Sequence, residues 1–469
     1  RAVGRSHSWS PLVPTSGVLV DMSNMDTILD VDRVNQRIVA QPGVPLRQLL
    51  EIAWNEGWRV RSVTAIQSLT LGGMLSVGAH GNDTGASTFS DDVVCIEFID
   101  GFGELRCVDS SSPEELRALR VALGTAGIVT SITIQCYPSA RFLYQVQTLT
   151  HDDVKEQAQI DALVACNELL EIYWYPFVDK VQVLTWNQID EASPPKFVTE
   201  YGWIRRSASR LVQTVGQFAI GSPVAYFIDH VRPSYAWVLA WLSSQMFTID
   251  EYLQTPLDAG HYLYAYHKVR DSGWAIPAED AAAGLAAYRA EIERCADQDR
   301  YPVNICVHLR FIRSGDSLLG FNLDDDAPAH VDDCSSQRLI CQIEAAMTRH
   351  AQSAPEFQRT MERTFVDPRF GGRPHWAKEG WGNVQPFAYR GRKKWARFVQ
   401  WRKKWDPNNI FANHAVQNMD RQMQEIEGWL ADDPGRTDGT LMRTLLDAPQ
   451  QVLPTSAIHR KLLEPDGEE

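Results

Sequence analysis

The sequence predicts an α+β protein in two parts, and three observations carry that prediction. The chain has 469 residues, more than one hydrophobic core ordinarily covers. Up to about residue 140, short β-branched runs alternate with short amphipathic stretches and glycine-rich turns. Beyond Tyr137-Pro138 the character changes to long aromatic strands separated by helical stretches.

Gly17 to Met22 reads as a short buried strand after a Pro/Ser/Gly turn, and Arg37 to Gln41 as a second, ended by Pro42-Gly43. Leu46, Leu49, Leu50 and Ala53 recur at helical spacing with Glu51 and Asn55 on the other face, and Gly57 ends that helix. A glycine-rich loop, Leu69 to Gly81, follows. Asp92 to Asp100 is a strand that Gly101-Phe102-Gly103 turns back into Leu105 to Val108. Ser112-Pro113-Glu114-Glu115 opens a helix, with proline in the first turn and acids at its positive end, running to Gly124. Gly127 to Ile134 is a buried β-branched strand. The second part, residues 141–380, holds strands over 171–176 and 180–186 and helices over about 205–247 and 278–298. Arg390 to Trp405 is a helix within a segment, 381–418, that returns to the first part, residues 1–140. From 419 to 469 the chain turns acidic and rich in Gly, Pro and Asp, the composition of a weakly structured accessory tail.

Hydrophobic content of 44% with 22% charged residues is that of a soluble globular protein. The net charge of −14 argues against a nucleic-acid binder and against bulk attraction to anionic lipid. The longest apolar-leaning segment, Tyr235 to Ile249, is broken by Ser243, Ser244 and Gln245 and falls short of a spanning helix. The eight cysteines show no CxxC and no metal-type spacing, which predicts no metal site and a reducing compartment. Fifteen tryptophans suit a pocket lined with aromatics. The basic-aromatic run Arg390 to Trp405 mimics a nucleic-acid patch, but Trp395, Phe398, Val399 and Arg402 fall at helical spacing, so an amphipathic helix with a solvated basic face is expected. Only Arg1 to Val3 precede the first glycine turn, and the expectation is that the natural N-terminus is missing.

Two stretches carry chemistry. Gly4-Arg5-Ser6-His7-Ser8 has the composition of an anion nest, in which successive amides point at one phosphate. Leu71-Gly72-Gly73-Met74-Leu75-Ser76-Val77-Gly78-Ala79-His80-Gly81 has four glycines and no acid or Lys/Arg, which suits close approach of backbone to a ligand. The GxGxxG spacing of a dinucleotide turn is absent, so a nicotinamide site is not indicated.

Taken as an ordered series, Gly4-xx-His7-Ser8, Leu71-Gly72-Gly73, Gly78-Ala79-His80-Gly81 and Gly124-Thr125-Ala126-Gly127-Ile128-Val129 resemble the PCMH-type FAD-binding domain of the vanillyl-alcohol-oxidase superfamily. Tyr173-Trp174-Tyr175-Pro176, Arg310-Phe311, His375-Trp376-Ala377-Lys378 and Asp406-Pro407 with Phe411 and Asn413 narrow it. They resemble the aldonolactone oxidases, the L-gulonolactone and D-arabinono-1,4-lactone group, with alditol oxidases close by. The resemblance covers about residues 1–415. It implies an FAD domain under an antiparallel-sheet substrate cap. It implies oxidation of a sugar lactone or polyol by hydride transfer to flavin N5, with oxygen as acceptor and hydrogen peroxide as product. Gly4, Arg5, Ser6, His7, Ser8, Gly72, Gly73, Ser76, Gly78, His80, Gly81, Gly127, Ile128 and Val129 would hold FAD, with His7 bonded to it covalently. Arg310 would orient substrate, Lys378 would support the reduced flavin, and His375 would stand beside them. At position 308 the lactone oxidases usually carry glutamate, whereas this chain has His308. Residues 308 and 310 share a strand face, so His308 is expected in the pocket as a base or a specificity contact, or else packed under Trp376. Thr64 is bulkier than is usual beside the flavin, which keeps open a dehydrogenase using another acceptor. Several relatives are membrane-associated, which implies a cytoplasmic or peripheral membrane location (mitochondrial in a eukaryote), with contact through the basic helix or through Trp237 and Trp241. A flavin-binding protein without turnover and a basic-helix binding module are the competing readings.

Overall fold

A computed structural model describes residues 1–189, 223–247, 251–255, 269–321, 337–348, 351, 353–367, 369–380 and 384–432, with isolated positions between 204 and 215. Strand β1 (Ala2–Val3) pairs in parallel with β2 (Val20–Asp21). The chain then makes β3 (Ile28–Asp32), β4 (Arg37–Ala40), helix α1 (Leu46–Asn55), β5 (Trp58–Arg59), helix α2 (Leu71–Val77), β6 (Val93–Ile99), β7 (Leu105–Asp109), helix α3 (Pro113–Arg120), β8 (Ile128–Gln135) and β9 (Tyr137–Pro138). A five-stranded antiparallel sheet has the order β3-β4-β8-β6-β7, and β5 pairs with β9. The expected strand over Gly17–Met22 shrinks to two residues, because Val18 is 77% exposed and, among the described residues, only β1 pairs with it.

The glycine-rich stretch after Leu69 is not a loop. Leu71, Met74 and Leu75 fall at helical spacing and bury one side of α2. Gly72 lets that helix lie against Pro42, whose Cβ would be 2.7 Å from an added Cβ. Gly78 ends it in the left-handed conformation at φ 64°, where an L side chain is strained.

The second sheet belongs to a run comprising β10 (Phe142–Leu149), α4 (Gln157–Cys166), β11 (Leu169–Trp174), β12 (Val181–Gln188), α5 (Pro223–Val231), α6 (Ala236–Ser243), β13 (Glu251–Gln254), β14 (Val269–Pro277), α7 (Ala281–Ala296), β15 (Cys306–Arg313), β16 (Leu339–Thr348), α8 (Ala354–Phe365) and β17 (Arg373–Pro374). Its eight strands run β13-β10-β12-β11-β15-β16-β14-β17. Alternation sorts the residues of the middle strands. Ile172, Leu309, Ile343 and Trp274 face one way into a core shared with Leu285, Tyr288, Phe357 and Phe365 of α7 and α8. Glu171, His308, Arg310, Gln342 and Glu344 face the other way, and the register puts His308 beside both Tyr173 and Glu344.

The C-terminal helices α9 (Val384–Trp405) and α10 (His414–Asp432) close the first core, into which Trp395, Phe398, Trp405, Val416, Met419 and Met423 are buried. Two expectations are corrected here. The tail expected to be weakly structured from 419 is helical to Asp432, because apolar residues at 416, 419 and 423 give it a stripe to bury; residues 433–469 lie outside the described residues. Nor is the basic face of the preceding helix wholly solvated. Lys394 and Arg402 are buried, and Arg402 meets Asp420 of α10 at 2.5 Å. The Asp406-to-Asn413 ending is structural: Asp406 accepts hydrogen bonds from the amides of Ile410 and Phe411, and the Asn413 amide donates to the carbonyls of Pro11, Leu12 and Pro14.

Candidate functional site

A cavity of about 240 Å³ lies where the first core meets the polar face of the second sheet. One end is lined by residues 1–9, Leu12 and Val13, by Thr64, Ala65 and Ile66, by α2 and by Gly124, Gly127 and Val129. The other is lined by Asp271, His308, Arg310, Glu344, His375 and Lys378. The two ends differ in charge. Arg1 and Arg5 stand at the first with no carboxylate among its lining residues, whereas Asp271 and Glu344 are both at the second.

Of the cofactor residues expected from the sequence, Gly4, Arg5, Ser6, His7, Ser8, Gly72, Gly73, Ser76, His80, Gly127 and Val129 line the cavity; Gly78, Gly81 and Ile128 do not. Gly78 is the helix end already described. Gly81 packs on Val63, whose carbonyl oxygen would be 2.8 Å from an added Cβ, and Ile128 pairs with Ile99 in the sheet. Gly4 is held closely too: an added Cβ would sit 2.0 Å from Thr70 Oγ1. His7 is half-buried, with Nε2 3.3 Å from Ser68 Oγ. His80 reaches the other end of the cavity, 3.5 Å from Glu344.

At that end the catalytic candidates converge on a residue the sequence reading passed over. Glu344 Oε2 lies 2.5 Å from Arg310 Nη2, 2.7 Å from Lys378 Nζ and 3.6 Å from His308 Nδ1. Lys378 Nζ also meets Asp271 Oδ2 at 2.9 Å. Burial alone would raise the Glu344 carboxyl, but Arg310 and Lys378 outweigh it and hold it well below the usual carboxylate range. For Asp271, burial and the charge of Glu344 outweigh Lys378 and the more weakly acting Arg310, and its carboxyl is pushed up to about 6. Burial lowers the basicity of His80, His308 and His375, so all three are neutral near pH 7. A tight turn, in which the Lys378 amide donates to the His375 carbonyl, presents His375 and Lys378. The amide of His375 donates to Gly273, that of Trp9 donates to Ala377, and Trp376 is buried in the first core with Nε1 donating to Leu319.

His308 does enter the pocket, but it is not packed under Trp376. Its ring stacks on Tyr173 at 4.1 Å, with Nε2 3.4 Å from Glu171 and Nδ1 facing Glu344. A carboxylate, Glu344, stands one strand over, at the ladder partner of His308. Its sequence signal was Gln342 and Glu344 two apart in the apolar run 339–347, the mark of a strand with one polar face. Asp271, at the start of its strand, gives no such signal. Arg1 was also missed: its guanidinium donates to the carbonyls of Leu12, Leu123, Gly124 and Phe411, tying three distant segments to the cavity wall.

Fold and cavity together define a two-lobed FAD-binding protein. The first lobe matches the FAD binding domain over residues 1–109. Solved cholesterol oxidases share the fold: the one from B. sterolicum superposes with a TM-score of 0.69 at 17% identity, over 89% of each chain. The D-arabinono-1,4-lactone oxidase model matches residues 132–421, and the chain belongs to that family. Among its relatives, L-gulonolactone oxidase of Mus musculus is 23% identical over 89% of each chain. L-gulono-1,4-lactone dehydrogenase of Mycobacterium tuberculosis is 25% identical over 88% of each, and D-arabinono-1,4-lactone oxidase of Candida glabrata is 23% identical over 87% of each. The residues present fit FAD. The carboxylate-free end with Arg1, Arg5 and close-packed glycine backbone suits a diphosphate, and Met22, Leu69, Met74 and Val77 offer apolar wall to the rings.

Proposed function

We propose that this chain oxidises a neutral polyhydroxy substrate, a sugar 1,4-lactone of the L-gulono or D-arabinono type, at a carbinol carbon. FAD, when bound, supplies the acceptor for the carbinol hydrogen and its electron pair. The observation that carries the reading is Glu344, pinned between Arg310 and Lys378 at the far end of the cavity that the Gly4 and Gly72 stretches line. The positive charges of Arg310 and Lys378 are already matched by Glu344 and Asp271. The site therefore offers hydrogen-bond donors without a net positive charge, which favours a lactone or polyol over the open acid. Arg310 keeps a buried Nε without a partner among the described residues, a donor for a lactone carbonyl or hydroxyl. Lys378 has a third N–H beyond its two carboxylates. His308, with both ring nitrogens turned to carboxylates, shapes specificity rather than taking the substrate proton.

The FAD part would comprise residues 1–140 with 381–418, and the substrate part 141–380. His7 would carry the flavin covalently; it lines the cavity with a half-buried imidazole. Oxygen or another acceptor would return the flavin to its oxidised state, with peroxide formed in the first case. Thr64 lines the cavity with its hydroxyl donated to Ile66, so its methyl is the group that would limit access to the flavin. No helix among the described residues is long and apolar enough to cross a membrane. Trp237 and Trp241, each nearly half exposed on one side of α6, would make a peripheral membrane contact.

The test is anaerobic mixing of the yellow protein with L-gulono-1,4-lactone, D-arabinono-1,4-lactone, the open acids and alditols. Bleaching by a lactone supports the reading. Bleaching by alditols alone would move the substrate class, and no bleaching by any of them would reduce the protein to a flavin carrier. Re-oxidation under oxygen or by dichlorophenolindophenol then separates oxidase from dehydrogenase.

A further inference from the structure

We propose that His80 is the catalytic base of this site, taking the substrate hydroxyl proton on Nε2. This rests on the lactone-oxidation reading above. His80 was expected to hold cofactor, but its ring is aimed at the substrate end. Nδ1 lies 3.0 Å from the Gly81 carbonyl oxygen, which can only accept, so Nδ1 carries the hydrogen and Nε2 presents a lone pair. That Nε2 is buried without a hydrogen-bond partner among the described residues, and it faces Glu344 Oε1 at 3.5 Å, which is likewise buried and unpartnered. Two acceptors facing each other lack a proton between them, and a substrate hydroxyl supplies one. Phe321 packs edge-on to the ring at 5.6 Å and His375 tilts against it at 5.2 Å, so the imidazole is fixed before substrate arrives.

The step balances. The substrate O–H bond breaks and an Nε2–H bond forms, while the carbon-bound hydrogen leaves with its electron pair to the bound FAD. The imidazolium formed has an ionised partner in Glu344, which Arg310 and Lys378 keep deprotonated. The charged groups around His80 are Glu344 from β16, Arg310 from β15 and Lys378 beyond Glu344, with His375 in ring contact. Burial and Arg310 hold the imidazole neutral to lower pH than a free histidine, so the base is available at and below neutrality. His308 is the rival: its Nε2 is likewise buried without a hydrogen-bond partner, but its two nitrogens face different carboxylates, Glu171 and Glu344, and no carbonyl among the described residues sets its tautomer as Gly81 sets that of His80.

The experiment compares His80→Gln with His308→Gln in flavin-loaded protein, by stopped-flow bleaching against pH and by NMR of isotope-labelled imidazoles. His80→Gln is expected to slow bleaching about 10²–10⁴-fold, to leave substrate affinity within about threefold, and to abolish the acidic limb of the pH profile. His308→Gln should change affinity and keep the limb. A wild-type rate in His80→Gln, or a limb that moves with His308 instead, overturns the proposal. The NMR arm needs no turnover. The His80 signal, assigned by its loss in His80→Gln, should report a neutral Nδ1–H tautomer near pH 7, and an Nε2–H tautomer overturns the assignment even if no lactone bleaches the wild-type flavin. Failure of bleaching in the wild type with the Nδ1–H tautomer present counts against the lactone reading, and not against the imidazole geometry.

Discussion

Replacing Glu344 with alanine tests whether the buried ion set is what shapes the substrate end. Glu344 is 5% exposed and carries one oxygen between Arg310 and Lys378. Removing one partner of a buried ion pair costs about 3–5 kcal/mol, chiefly because the other charge is left uncompensated. Here the two cations differ. Lys378 keeps Asp271 at 2.9 Å, whereas Arg310 has no other carboxylate in ion-pair contact among the described residues. The loss is therefore that of one stranded cation, about 3 kcal/mol, at the lower end of that range. Glu344→Gln keeps an acceptor for Arg310 and should lose roughly half as much. Arg310→Met removes the stranded charge, so the double variant Arg310→Met/Glu344→Ala should recover about 2 kcal/mol of the loss expected from the two single changes added together. Equilibrium urea unfolding of the flavin-loaded proteins, followed by tryptophan fluorescence, gives the four corners of the cycle. A Glu344→Ala protein within about 1 kcal/mol of wild type, with no coupling to Arg310, would falsify the argument that these charges are shielded from water.

Four further outcomes are expected. Gly4→Ala should weaken FAD binding at least about tenfold, or 1.4 kcal/mol, since its Cβ would meet Thr70 Oγ1 at 2.0 Å; adding Thr70→Ala should restore part of it, as read by titration of apoprotein with FAD. After acid precipitation the flavin colour should stay in the pellet for wild type and pass to the supernatant for His7→Ala; colour in the wild-type supernatant removes the covalent bond. Burial, only partly offset by the Tyr137 hydroxyl and Arg61, pushes Asp92 up to about 7, so the folded state holds its proton more tightly than the unfolded state. Stability should then fall as pH rises from about 4 to 7, and Asp92→Asn should flatten that fall and gain roughly 1 kcal/mol at pH 8 in urea titrations at both ends of the range. Truncation after Asn413 leaves Arg402 buried without Asp420 and uncovers the apolar stripe of α9, and should cost at least about 3 kcal/mol or abolish soluble expression.

The sequence by itself determined the cofactor half. Glycine turns, β-branched strands and a proline-opened helix are local signals, because backbone angles and capping depend on neighbours a few residues away. Thus β4, α1, the β6–β7 hairpin, α3 and β8 stand close to where periodicity put them, and His7 and Gly4 lie on the cavity wall. The sequence misjudged Leu71–Val77, where two glycines concealed a helix whose buried stripe is formed by Leu71, Met74 and Leu75. It also undervalued residues 419–432, whose acidic composition hid an apolar stripe. In the substrate half the sequence named Arg310, Lys378, His375 and His308, and only the tertiary structure placed Glu344 and Asp271 among them. His308 and Glu344 are 36 positions apart in the chain, yet the ladder makes them neighbours. No short-range pattern encodes which strand lies beside which, since pairing is set by the closure of the whole sheet. Position 308 taken alone reads as the loss of a carboxylate. In the folded sheet Glu344 stands across the ladder from His308, and the strand spacing puts both side chains in one pocket.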